Sequence, residues 1–499
     1  MSRRLSVLAT AILLLFVVVA AQSANLQFFR AKALDASPLN PRNNQVNVNA
    51  SRGEIIAADG TILAQSIPTG DTGNTYKRVY PLGRLTSGVV GFSSPIYGNW
   101  WLEGEYNNYL TSHAQPPQSF AQVLSPTSAA DNVTLTLEPA LQRVAQAQLA
   151  GRDGAAVVVD PQNGNILALY SNPTYNPVPL TSTNYSVASA AWKKVNTKDG
   201  DGFPPLGLVA IQQTFPPGST FKIVTISGVL VAKPQLLNKT YPALTQTPLP
   251  NTTKTLHNYA YERCGGTIAE MLPPSCDTGF ALVGLDLGGT NLANAANSYG
   301  YNEVPPIDLP GAVASYFPSG ASFTYNQPQL AYSAIGQENV RTSALMNALV
   351  AGAVGNHGVL MAPHLLAYVT GPDGRVIARY KDHVWKTPLT AAQAAVIVPL
   401  MVQVARTGTA GGIFPASLDV AAKTGTSQTG TTSQNTADWL VAFAPASDPT
   451  VAVAVVVPYQ VTSATGASVA GPIIKCLVEG ALALQSGQPA SGTASTCPA

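Results

Sequence analysis

The first long hydrophobic run, Leu5 to Ala21, is broken only by Ser6 and Thr10 and follows Arg3 and Arg4. Basic residues ahead of an apolar stretch hold the N-terminus in the cytoplasm and send the rest of the chain outward. The run is slightly short for a span, and Ala24, Leu26, Phe28 and Phe29 extend it. Ala21-Gln22-Ser23 also fits a cleavage site, so residues 1–24 read as a single-pass membrane anchor or as a signal peptide. In both readings the remainder is extracytoplasmic. Residues 25–50 are polar and rich in Asn and Pro, the composition of a stalk.

Beyond the stalk the pattern turns to strands. Glu54 to Ala64 places two short strands around Asp59-Gly60, opening a small β-rich module over 51–135. Residues 78–125 read as loop-rich, with aromatics at Tyr80, Phe92, Trp100, Trp101 and Tyr106. Helical spacing from Leu137 through Leu149 marks entry to a second unit, 136–485. There Ala155–Asp160 and Ile166–Tyr170 form a hairpin, and three more strands are predicted at Leu418–Gln428, Ala437–Pro445 and Thr450–Pro458. Helical segments, including Phe221–Val231 and Ser343–Val354, lie between. This order predicts an α+β fold whose single antiparallel sheet is closed by N- and C-terminal pieces. Residues 486–499, rich in Ser, Gly, Ala and Pro, read as a disordered tail.

Composition narrows the function classes. Of 499 residues, 46% are hydrophobic and only 10% charged, with a net charge of +2. There is no broad basic face for nucleic acid, too much apolar content for a charged disordered chain, and only one membrane-length run. The four cysteines form no C-x-x-C pair and the five histidines are scattered, which gives a metal site no support. In an oxidising compartment Cys264 and Cys276 are the natural disulfide, worth about 2–3 kcal/mol; two free buried thiols are the other reading.

Three short segments carry chemistry. Pro216-Pro217-Gly218-Ser219-Thr220-Phe221-Lys222 runs into an apolar helix, so Ser219 and Lys222 share a face one turn apart. A serine hydroxyl needs a neighbouring base, and a desolvated lysine can lose its proton and become one. The bland alternative is an N-cap serine with an exposed lysine. Lys423-Thr424-Gly425-Thr426 lies on a strand, where Gly425 lets a second backbone or a ligand lie close; an extended peptide could pair with that edge. Ser275-Cys276-Asp277 precedes a helix, which Ser275 or Asp277 could simply cap, or it could face Ser219 and Lys222 from a loop.

Together the three resemble the S-x-x-K, S-x-N and K-T-G motifs of penicillin-binding proteins and serine β-lactamases. Flanking phrases sharpen the resemblance: Arg52-Gly53 through Ala64, Val89–Phe92, Gly154–Pro177, Ala334-Ile335-Gly336-Gln337 and Asp438-Trp439 to Pro445 are similar to class B penicillin-binding proteins, of the short actinobacterial A type. The match spans roughly residues 50–480. It implies a transpeptidase-like domain with helices on both sides of its sheet, no cofactor, and a peptidoglycan D,D-transpeptidase of cell-wall synthesis and division. Ser219 would attack a D-Ala-D-Ala stem peptide, or a β-lactam, with Lys222 as base. Backbone amides of Ser219 and Thr426 would form the oxyanion hole, Ser275 and Lys423 would relay a proton, and Thr424 with Gly425 and Thr426 would bind substrate. Further implied partners are the membrane, a SEDS-family glycosyltransferase and division proteins.

Asp277 departs from the family, which has Asn there. A carboxylate only accepts hydrogen bonds, and between Lys222 and Lys423 it would raise both lysine pKa values and oppose the base. A weakened enzyme, a non-catalytic cell-wall scaffold, or one working at low external pH are the consequences open to such a site. A D,D-carboxypeptidase or β-lactamase-like hydrolase remains the enzymatic alternative.

Overall fold

The computed structural model describes residues 3–24, 50–69, 75–114, 128–200, 202–429, 436–461, 463–490 and 497. The first apolar run is one helix, α1 (Arg3–Ala24), whose large apolar side chains from Ile12 to Val19 are exposed. Its 22 residues extend about 33 Å, enough to cross a bilayer's hydrocarbon core. Residues 25–49 of the predicted stalk lie outside the described residues.

The two short strands expected around Asp59-Gly60 are β1 (Ile55–Ile56) and β2 (Ile62–Thr69), joined by a turn with Gly60 at φ 84°. Next come β3 (Thr75–Val79), β4 (Asn132–Leu135), α2 (Pro139–Gln148), and the hairpin β5 (Gly154–Val159) and β6 (Ile166–Asn172). The helical middle includes α3 (Lys222–Ala232), α4 (Asp277–Leu287), α5 (Gly289–Ser298) and α6 (Ala344–Gly355). Then follow β7 (Leu366–Thr370), β8 (Val376–Arg379), β9 (Ala421–Gln428), β10 (Thr436–Ala444), β11 (Val451–Gln460) and α7 (Gly466–Gln485).

Two sheets organise these elements. One has the order β8-β7-β4-β1-β2-β3; the other, β6-β5-β11-β10-β9, is antiparallel throughout. The second sheet is closed as the strand order predicts, with Val157 on β5 opposite Ala454 on β11. Every residue of β10 is buried, as expected of a central strand covered on both faces. The first sheet holds a feature the sequence pattern hid. β7, from the far side of the chain, pairs onto β4, and β8 pairs onto β7, so the two extend the N-terminal sheet.

Two expectations need correction. The described part of the segment read as loop-rich contains a hairpin, Phe92–Ser94 with Gly98–Trp100, and two short helices, Leu102–Glu105 and Asn107–Leu110. Buried Tyr80, Phe92, Trp101 and Tyr106 give these short pieces a core, which local propensity alone could not supply. Of the tail read as disordered, only residues 486–490 and 497 are described, and two of these are held in place. Cys497 forms a disulfide with Cys476 on α7, and Ala490 is buried. Helix α7 is long and apolar enough to cross a membrane, yet half of it is buried, and it packs on β10 and β11 as a core helix.

Candidate active site

Pro216 and Pro217 cannot continue a helix, and Gly218, at φ 54°, turns the chain into a 3-10 turn, Gly218–Phe221, that feeds α3. Gly218 donates its N–H to the Gly336 carbonyl (2.9 Å), and a Cβ on it would come within 2.8 Å of the Thr426 carbonyl oxygen. Residues i and i+3 eclipse on such a turn, so Ser219 and Lys222 share one side. Lys222 through Leu230 are buried, which disposes of the exposed-lysine alternative.

The Lys222 ammonium donates to Asp277 Oδ1 (2.7 Å), the Ser275 carbonyl (2.7 Å) and Ser275 Oγ (3.2 Å). Ser219 Oγ, half-buried, donates to the same Asp277 Oδ1 at 3.4 Å. Ser275 stands at φ 62°, a conformation uncommon outside glycine, and its hydroxyl also accepts from the Lys423 ammonium at 2.8 Å. One hydroxyl thus touches both lysines. The capping alternative fails. Cys276 occupies the N-cap of α4 without a side-chain capping hydrogen bond, and the Thr278 N–H goes to Asn258 Oδ1 (2.8 Å). Asp277 is thereby left for Lys222. Cys264 and Cys276 form a disulfide that anchors this loop.

On β9, fully buried Lys423 also donates to the Thr424 carbonyl (3.0 Å). Thr424 Oγ1 lies 2.5 Å from Thr409 Oγ1, and Thr426 Oγ1 accepts from the Gly466 N–H (3.0 Å). Gly425 serves a second backbone: a Cβ there would sit 2.6 Å from the Pro217 carbonyl oxygen. Its missing side chain therefore lets the serine turn dock. Trp439 Nε1 and Ser427 Oγ both donate to the Pro216 carbonyl (2.9 and 2.6 Å), fixing that turn against the sheet.

Burial lowers the Lys222 pKa, while the Asp277 charge and hydrogen bond oppose it. Burial, then the Lys222 charge, put Lys423 well below the ordinary lysine value, with Asp277 again opposing. The sequence-based expectation that Asp277 would raise both lysines holds for its own contribution; desolvation is larger.

Sequence reasoning missed Asn258 and Thr409, which no local pattern distinguishes, and the chemistry of Asp438. Asp438 is fully buried on β10, opposite Thr426 on β9. Neither carboxyl oxygen has a donor in hydrogen-bond geometry. Burial pushes this carboxyl up to about 7, against the weaker pull of the Thr426 and Thr436 hydroxyls. Between the ordinary aspartate value, about 4, and 7, the unfolded chain ionises while the native carboxyl stays protonated, so stability falls as pH rises. The loss is at most about 4 kcal/mol at 1.36 kcal/mol per pKa unit. Denaturant unfolding of wild type and Asp438→Asn between pH 4 and 7 is expected to show this slope only in wild type; parallel curves would contradict it.

Among the described residues, no group of three or more His, Cys, Asp or Glu could hold a metal ion. The chain matches the penicillin-binding protein transpeptidase domain over residues 154–479 and the penicillin-binding protein A dimerisation domain over 52–132. It is 34% identical to the peptidoglycan D,D-transpeptidase PbpA of Mycolicibacterium smegmatis, across 97% of this chain and 99% of that one. For the Mycobacterium tuberculosis PbpA the identity is 32%, across 96% and 98%. The ceftriaxone acyl-enzyme structure of M. tuberculosis penicillin-binding protein A superimposes with a TM-score of 0.78 at 30% identity, covering 87% of this chain and 98% of that one. With its three motifs gathered around one serine, the chain belongs to the class B penicillin-binding protein transpeptidases, of the penicillin-binding protein A type.

Proposed function

We propose that the protein is a peptidoglycan D,D-transpeptidase and penicillin target that works through an acyl-enzyme on Ser219. The observation that carries this reading is the continuous polar path from Ser219 through Asp277 to Lys222, Ser275 and Lys423. Ser219 Oγ attacks the carbonyl of the penultimate D-Ala, and its proton passes to Lys222. The amide C–N bond breaks, and the terminal D-Ala leaves as an amine, protonated through Ser275 Oγ, which touches both lysines. The backbone amides of Ser219 and Thr426 stabilise the oxyanion, and Thr424 on the β9 edge receives the substrate carboxylate. An amine of a second stem peptide then attacks the Ser219 ester, forming the cross-link and returning the proton.

Helix α1 anchors the catalytic domain outside the cytoplasmic membrane, a location that suits the two disulfides. From there it serves a glycan-polymerising partner of the SEDS class and the division apparatus.

Incubation with a stem peptide ending in D-Ala-D-Ala and an amine acceptor is expected to release D-Ala and yield the cross-linked product. Hydrolysed peptide without cross-link would instead favour a carboxypeptidase, and no D-Ala release a scaffold.

A further inference from the structure

Outside the acyl site, helix α5 presents Thr290, Asn294 and Asn297 at i, i+4 and i+7, one polar stripe opposite buried Leu292, Ala295 and Ala296. That stripe forms one wall of an open cavity of about 800 Å³, closed on other sides by Tyr316, Gln329 and Asn339. The volume suits a bound small molecule or oligosaccharide unit. No lining residue is charged, so the wall offers neutral hydrogen-bonding groups and no counter-charge for an ion. That wall is rich in carboxamides, each offering both donors and acceptors.

Asn294 and Asn339 are exposed to solvent, so their amides are accessible to a ligand. Asn302, by contrast, braces the wall. Its amide donates to Asn297 Oδ1 (2.9 Å) and the Phe317 carbonyl (3.1 Å) and accepts from the Phe317 N–H (3.1 Å). Aromatic faces are also on offer. Tyr316 is half exposed and Tyr325, just past the turn that lines the cavity, is 96% exposed. An exposed tyrosine ring packs well against the C–H face of a pyranose, and neutral carboxamides match hydroxyl and N-acetyl groups. The cavity adjoins the serine turn, because Phe317 on its wall stacks on Phe221 (5.3 Å between ring centroids), two residues beyond Ser219.

We propose that this cavity is a saccharide subsite for β-linked N-acetylated sugars. It would hold the glycan strand while the attached peptide is processed at Ser219, a role that rests on the transpeptidase reading above. The test is calorimetric titration of the full chain with chitotetraose, with cellotetraose as the probe lacking N-acetyl groups. Penicillin acylation of every variant is measured in parallel. Chitotetraose is expected to bind wild type, with at least tenfold weakening in Tyr316→Ala and in Asn294→Ala, while acylation is unchanged. Failure of chitotetraose to bind, equal binding by both variants and wild type, or equal affinity for cellotetraose would overturn the proposal. Absent acylation of wild type would strike the transpeptidase reading instead, since saccharide binding is read independently.

Discussion

Asp277→Asn is expected to move the acid limb of Ser219 acylation down by about 1–3 pH units, the usual effect of an opposite charge at contact distance. Below the wild-type limb, the rate would rise about 10- to 1,000-fold. In the proposed mechanism Lys222 accepts the Ser219 proton and must first be unprotonated, so acylation is expected to climb as pH rises through the lysine pKa. Burial lowers that pKa, and Asp277, at 2.7 Å, pulls it back up. Asparagine keeps an acceptor oxygen for the ammonium, removes the charge, and adds a donor that a carboxylate lacks. Acylation rates with a fluorescent penicillin between pH 4 and 8 provide the measurement. An unshifted limb would show that the carboxylate does not govern the base. A wild-type rate that falls as pH rises, with the fall absent in the variant, would make a protonated Asp277 the active form.

The second large effect lies far from the acyl site. Glu103 is fully buried between Arg52 (Oε2 to Nη2, 2.9 Å) and Arg78 (Oε1 to Nε, 2.6 Å), and the Tyr80 hydroxyl donates to it at 3.1 Å. Burial pushes its carboxyl pKa up, and the two guanidiniums more than reverse this, leaving it below the usual glutamate value. Glu103→Gln strands two nearly buried cations and is expected to cost about 3–5 kcal/mol, as breaking buried ion pairs does. Urea unfolding at neutral pH reads this directly, and a cost under about 1 kcal/mol would contradict it. The lowered pKa sets the sign with pH. The ionised group's stabilisation is present above the ordinary carboxylate range and is lost as pH falls through the lowered value. In a chain with only 10% charged residues, few other carboxylates can add to that acid sensitivity. Asp438 works the opposite way, favouring the protonated form.

These contrasts show where the sequence was legible. Short apolar, β-branched runs bounded by turn residues announced β1, β2 and the five strands of the catalytic sheet, of which β5 and β10 are buried along their whole length. The three motifs were legible because Ser219–Lys222 depends on local spacing, and Lys423–Thr426 on a strand with one glycine. What stayed hidden depends on distant partners. Nothing around Leu366–Thr370 says that this strand will pair with Asn132–Leu135. The Cys476–Cys497 disulfide was equally hidden, because its two cysteines lie 21 residues apart with no local pattern joining them. Asn258 became part of the site only because a loop brings it to the N-terminus of α4. The departure at Asp277 was visible as a residue. Its outcome was not, since the sequence contains the charge but not the degree of desolvation that outweighs it at Lys222.

The central claim, that Ser219 is the acylated nucleophile, is tested most directly by mass spectrometry of the intact protein and its peptides after incubation with benzylpenicillin. A single penicilloyl adduct on the Ser219 peptide, absent from Ser219→Ala, is the predicted result. No adduct on wild type, or an adduct that survives in Ser219→Ala, would contradict it.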